Sequence, residues 1–162
     1  MEESIQEVRF FLDTEFLAEG HLLIPISIGI VSEDGREYYA ECNEGVGMAR
    51  KAEWIREHVT PHLMAPSAAK LNSQIAHEIK EYIGTTRAEF WAYFAAYDWV
   101  VFCQLMGGLL ALPPNICSWI FDLAWLDPSL KRIRALNIHN PKRHHALYDA
   151  RELREQYRLL SQ

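Results

Sequence analysis

The hydrophobic pattern divides the chain into an extended first quarter and a longer stretch where strands alternate with helices. Val8–Leu12 is a short apolar run of β-branched and aromatic residues, the composition of a strand buried on both faces. Leu22–Val31 is a second run, in which Ile24, Ile26, Ile28 and Ile30 alternate with other partners. Ser32-Glu33-Asp34-Gly35 supplies turn chemistry, and Glu37–Cys42 resumes the extended pattern, so three antiparallel strands open the chain. The period then changes. Ala49–His58 and Ser73–Ile83 read as helices, the second with Ile75, Ile79 and Ile83 spaced four apart and Gly84 placed to close it. Glu89–Phe94 is another buried strand, followed by a helix from Asp98 to Met106 that Gly107-Gly108 ends. Beyond the break at Pro113-Pro114, a strand at Cys117–Phe121 and a helix from Asp122 to Arg134 are predicted. The last helix spans His145–Leu160, with Leu147, Ala150, Leu153, Tyr157 and Leu160 as its inward stripe. The sum is an α/β fold: a mixed five-stranded sheet flanked by helices, in a single domain over residues 1–162, with Thr60–Pro66 and Leu112–Pro114 as loops.

Composition narrows the function classes. An apolar share of 49% over 162 residues can build a substantial core, and no apolar stretch approaches a membrane crossing. Glu2, Glu3 and Glu7 give the wrong charge order for a secretory signal. Cys42, Cys103 and Cys117 show no CxxC spacing and read as free, mostly buried thiols of a cytoplasmic protein rather than zinc ligands. A formal net charge of -6 argues against a nucleic-acid partner. The distribution softens this, because Lys131, Arg132, Arg134, Lys142, Arg143, Arg151, Arg154 and Arg158 gather in the last third. Arg151, Arg154 and Arg158 read as the solvated face of a helix, while Lys142 and Arg143 are candidates for phosphate contact.

The chemistry-bearing residues are carboxylates. Asp13 and Glu15 end the first strand two residues apart, so they point to one face. Like charges held that close stay ionised cheaply only around a cation. The string Asp-x-Glu is short and common, and acids also mark strand ends as turn residues. Asp98 opens the helix after the strand Glu89–Phe94, where a helix N-cap and a site at the strand ends share one geometry. Asp149 lies in the first turns of the final helix, where a solvated acid is equally at home, and His144 precedes it by five residues. In company these residues suit two-metal phosphodiester chemistry: hard cations about 3.5–4 Å apart prefer oxygen ligands, and an imidazole supplies a base that titrates near neutrality.

This set of residues resembles the DEDD exonucleases of the ribonuclease H-like superfamily. Asp13 and Glu15, then Asp98, then His144 with Asp149 match the family's order, and the histidine places the chain in its DEDDh branch. Tyr148 stands at the wrong offset for the tyrosine-type branch. Asp13-Thr14-Glu15-Phe16-Leu17, Trp91–Asp98 and Gln104-Leu105-Met106-Gly107 are similar to the compact mycobacterial-type 3′–5′ exoribonucleases. The Thr-Gly that oligoribonuclease and ribonuclease T relatives carry after the acidic pair is absent. The resemblance implies Mg²⁺ or Mn²⁺, two ions per site, held by Asp13, Glu15, Asp98 and Asp149, with Glu15 and Asp149 completing the place of the nucleophilic water and His144 as general base. It implies release of nucleoside 5′-monophosphates from single-stranded RNA or an RNA 3′ overhang, by a homodimer. Phe16, Leu17, Trp99, Lys142, Arg143 and His145 are the expected substrate neighbours. Phe16 is open between base stacking and core packing, and Trp99 reads more readily as core. Rival readings are a nuclease for DNA or short oligonucleotides, a metal hydrolase with another substrate, and a binding module without turnover.

Overall fold

The computed structural model of the chain describes residues 7–162, so the acidic opening at Glu2 and Glu3 lies outside it. Five strands form one sheet in the order β3-β2-β1-β4-β5. β1 (Glu7–Glu19), β2 (Leu22–Ser32) and β3 (Glu37–Glu41) are antiparallel, whereas β4 (Arg87–Ala92) runs parallel to β1 and β5 (Ile116–Asp122) parallel to β4. This is the mixed sheet that the sequence predicts. β1 is far longer than its apolar run. Its polar continuation Asp13-Thr14-Glu15 remains in the β2 ladder, and only Glu7–Phe11 pair with β4.

Helices cover both faces. α1 (Asn43–Met48), α2 (Glu53–His58) and α3 (Asn72–Ile83) follow the opening strands. α4 (Ala96–Leu105) follows β4, α5 (Lys131–Ala135) follows β5, and α6 (Ala146–Leu160) ends the chain. Phe10, Leu12, Ile28, Ile30 and Phe90 pack with Ile75, Ile79 and Ile83 of α3 and with Val101 and Phe102 of α4. On the opposite face Phe11 and Trp91 pack with Leu153 and Leu160 of α6, and Tyr157 lies against both aromatic rings. A hydrophobic residue at successive strand positions thus feeds two different cores, which is why these strands show no simple alternation.

Three expected elements differ. The predicted helix Ala49–His58 is a 3₁₀ turn at Ala49–Lys51 followed by α2, and α1 precedes it unpredicted. Gly45 and Gly47 mask α1, but a Cβ on Gly45 would lie 1.9 Å from the Pro25 carbonyl oxygen, so the close approach to β2 demands glycine. The predicted helix Asp122–Arg134 is interrupted: a 3₁₀ turn at Leu123–Leu126 gives way to Asp127-Pro128 and then to the five-residue α5. Proline disfavours helical geometry at the residue before it, and the Asp127 carboxylate accepts from the Ile133 amide to start α5 afresh. Finally, α6 buries Gln156, and Leu147 is only half-buried.

The arginine face of α6 is not simply solvated. Arg151 makes two 2.7 Å hydrogen bonds to the Glu37 carboxylate, and Arg154 donates to the Glu33 carbonyl, which tie the helix to the β2–β3 hairpin. Arg158 pairs along the helix with Glu155. Cys42, Cys103 and Cys117 are free thiols, the first two buried. No helix among the described residues is long and apolar enough to cross a membrane.

Candidate active site

The site begins in the middle of β1. Asp13 and Glu15 lie opposite Gly29 and Ser27 of β2, and directly after Glu15 the register shifts so that Phe16 meets Pro25. Such a bulge re-aims side chains. The start of α6 settles on the same sheet face because Gly29 has no side chain: a Cβ there would stand 2.4 Å from the backbone of Ala146 and Leu147. That contact brings Asp149, in the first turn of α6, to the acidic pair. One ligand atom from each of Glu15, His144 and Asp149 lies within 4.8 Å of the others.

Asp98 enters from α4. It is not the helix cap that its position suggests. Its Oδ1 accepts from the Thr14 amide (2.9 Å) and from the Thr14 hydroxyl (2.7 Å), and the carboxylate is buried. Thr14 lies beyond the last β1 residue that pairs with β4, so Asp98 satisfies a backbone donor that the shorter strand cannot reach. Among the described residues no side chain caps α4; Asp122 at the end of β5 instead accepts from the Phe94 and Ala95 amides just ahead of it, and caps the 3₁₀ turn at Leu123–Leu126 by accepting from the Ala124 amide.

Burial and mutual repulsion set the electrostatics. Burial is the largest influence on Asp13, followed by Asp98, Glu15 and Asp149, and together they hold its carboxyl well above the usual range. Glu15 is pushed up to about 8 by burial and then by Asp149 and Asp98. Asp98 rises to about 6 through burial, moderated by the Thr14 hydrogen bonds. Asp149 also rises to about 6 through burial, moderated by Asn140 and the His144 amide. Four acids that resist ionisation side by side are a donor set that fits divalent cations with a preference for oxygen ligands.

The two histidines divide sharply. His144 has a left-handed backbone (φ 65) just ahead of α6, and its amide donates to Asp149 Oδ2 at 2.9 Å. Its imidazole is held below its ordinary value by burial, then by Arg143, His58 and His62. His145 is the α6 N-cap residue and is 8% exposed, stacked on Tyr39 at 4.5 Å. Burial, then the Lys142 charge, push it down to about 4.

A cavity of about 410 Å³ opens here, lined by Asp13, Tyr93, Arg134, Arg143, His144 and Asp149 among others. Of the expected substrate neighbours, Arg143 reaches it. Lys142 is exposed nearby in sequence, with its ammonium over the Tyr148 ring. Phe16 is half-buried, 5.8 Å from the ring of Tyr97, which is 61% exposed. Leu17 sits instead in the core with Ile24, Ile26 and Val59, and Trp99 stacks on Phe102. Neither these two nor His145 lines the cavity. Sequence reasoning passed over Asn140, whose amide donates to both Asp149 and Glu152. Its one sequence signal, an asparagine before proline, is ordinary loop chemistry. Tyr97 is likewise missed, because nothing in the sequence says that its ring stays exposed beside Phe16.

Comparison with known proteins agrees with this architecture. In 163 aligned residues the chain is 39% identical to the 3′–5′ exoribonuclease Rv2179c of Mycobacterium tuberculosis (strain H37Rv), covering 95% of this chain and 94% of that one. The same figures hold for the 3′–5′ exoribonuclease MT2234.1 of strain CDC 1551. Among solved structures, Escherichia coli exonuclease I in its zinc-bound complex with single-stranded DNA superposes with a TM-score of 0.66 at 12% identity. Its complex with a dT13 oligonucleotide gives 0.67 at 14%. Both cover 96% of this chain, but the chain spans only 40% and 41% of the two exonuclease I chains, so the likeness is one of fold. The exonuclease family is metal-dependent, and the carboxylate cluster gives this chain a possible metal site. Residues 8–160 match the 3′–5′ exoribonuclease Rv2179c-like domain, and the chain belongs to that exoribonuclease family.

Proposed function

We propose that this 3′–5′ exoribonuclease removes nucleoside 5′-monophosphates from single-stranded RNA or an RNA 3′ overhang, with Asp13, Glu15, Asp98 and Asp149 as metal ligands and His144 as general base. The observation that carries the assignment is the convergence of four acids from β1, α4 and α6 beside one loop histidine. Two Mg²⁺ or Mn²⁺ ions held by these carboxylates would supply charge against the phosphate oxygens and acidify the attacking water. His144 accepts a proton from that water as its oxygen bonds to phosphorus. The bond to the 3′ oxygen of the preceding nucleotide breaks, and that oxygen takes a proton from solvent to leave a shortened chain with a 3′ hydroxyl. Glu15 and Asp149, both within 4.8 Å of an imidazole nitrogen, orient the place of attack. Asn140 and the His144 amide hold the Asp149 carboxylate between them. Arg143 offers a guanidinium to a phosphate at the cavity, and Phe16 with Tyr97 forms an aromatic shelf for a terminal base.

In this reading a second copy of the chain completes the substrate groove, and the free thiols suit a reducing cytoplasm. The mycobacterial relatives' names favour RNA. The exonuclease I complexes with DNA oligonucleotides support the second reading, single-stranded DNA. The test is hydrolysis of matched 5′-labelled RNA and DNA, single-stranded and with 3′ overhangs. Mononucleotide release should require Mg²⁺ or Mn²⁺ and fall by about 10³-fold or more in Asp13→Ala. Undiminished turnover in excess chelator rejects the two-metal assignment, and faster loss of DNA selects the second reading.

A further inference from the structure

Trp54 is a large side chain that the core does not use. Its neighbour Ile55 packs with Val59, Leu17, Ile24 and Ile26, while Trp54 remains 50% exposed. One helical turn on, the His58 ring stacks on the indole at 4.7 Å with an interplanar angle of 15°. His58 Nδ1 also lies 2.9 Å from the Trp54 carbonyl oxygen. This two-ring stack meets His144: Trp54 packs at 4.9 Å and 78°, and His58 at 5.9 Å and 88°.

His144 needs such a support. The hydrogen bond that its backbone N–H donates to Asp149 and its left-handed φ fix the backbone but leave both side-chain torsions free. Among the described residues no hydrogen bond reaches its ring nitrogens, and its aromatic neighbours are Trp54 and His58. A base that swings out of reach of the water loses the advantage of being held in place. We infer that Trp54, backed by His58, is a positioning residue that holds the His144 imidazole toward Glu15 and Asp149. The inference rests on the role of His144 proposed above.

Steady-state hydrolysis of a single-stranded RNA by wild type, Trp54→Ala, Trp54→Phe and His144→Ala tests it, together with calorimetric Mn²⁺ binding in the absence of RNA. Trp54→Ala should lower kcat about tenfold, a part of the 10²–10⁴ that a general base supplies, with KM and Mn²⁺ affinity near wild type. Trp54→Phe, which retains an aromatic face, should recover most of the rate. Wild-type kcat in Trp54→Ala overturns the inference. A raised KM at unchanged kcat also overturns it, by making Trp54 a substrate contact, and so does a phenylalanine no better than alanine. If Trp54→Ala loses its thermal transition, Trp54→Leu takes its place under the same criteria. Wild-type turnover by His144→Ala would refute the proposed base itself, whereas a slow His144→Ala beside a fast Trp54→Ala refutes only the positioning role.

Discussion

Asp13, Glu15 and Asp98 are carried by a strand and a helix, while His144 stands on a loop two residues ahead of α6. The acids cannot relax apart: β1 is laddered to β2 on both sides of them, and Asp98 is bonded twice to Thr14. The histidine backbone is pinned at one amide, and its ring rests on side chains of α2. Repelling carboxylates need a rigid mount, since any slack would be spent moving them away from one another. A proton acceptor needs reach and can sit on a lighter support. The contrast repeats within two adjacent residues, because His145 is locked against Tyr39 while His144 faces the acids.

The largest effect should come from breaking the lighter support at its tip. His144→Ala is expected to lower kcat by about 10²–10⁴ while Mn²⁺ binding survives. His145→Ala should instead lose about 1–2 kcal/mol in denaturant unfolding with a smaller loss of kcat. A larger kcat loss in His145→Ala would exchange their roles. Next comes the contact that joins the rigid part to α6. Gly29→Ala places a methyl group where the Ala146 and Leu147 backbone already stands, and should cost about 2 kcal/mol of stability. By shifting Asp149 it should also cost about 10²-fold in activity. An unchanged thermal midpoint would show that the α6 start has room to move.

The smallest effect sharpens the electrostatic side. A carboxyl whose pKa is raised on folding binds more protons in the folded chain, so its stabilising contribution is lost as pH rises toward the raised value. Glu15, at about 8, and Asp13, well above its ordinary value, act in this sense above pH 6.5. The depressed His144 and His145 act oppositely, but only below the ordinary histidine range near 6.5. Without metal, stability should therefore fall between pH 6.5 and 8 by an amount on the order of 2 kcal/mol. Thermal melts in chelator, repeated with Mg²⁺, should show the slope and then its removal. A flat chelator profile would mean that the acids are less crowded than their burial implies.

The mixed sheet with its three antiparallel opening strands was readable from apolar runs, as was the last helix from its stripe. β1 looked short because polar residues interrupt its apolar run at Asp13; those positions are polar because they face the site, so function concealed structure. The broken helix after Asp122 had its signal in Pro128, outweighed by helical spacing on either side. The candidate site residues were nameable by type and order. Their supports were not, since Gly29, Asn140 and Trp54 act through contacts between segments far apart in sequence.

β1 outruns β4, so the sheet is five strands wide at the level of Phe11 and three strands wide at Asp13 and Glu15. Acids at such a step are braced from one flank by the ladder and, among the described residues, have no strand on the other, where only Asp98 reaches Thr14. Segments leaving β4 and β5 border the open flank without contributing a rung at that level. Outside Asp98, their length and lining can therefore be re-tailored, and with them the kind of strand end admitted, while the β1–β2 ladder that carries the acidic pair stays untouched.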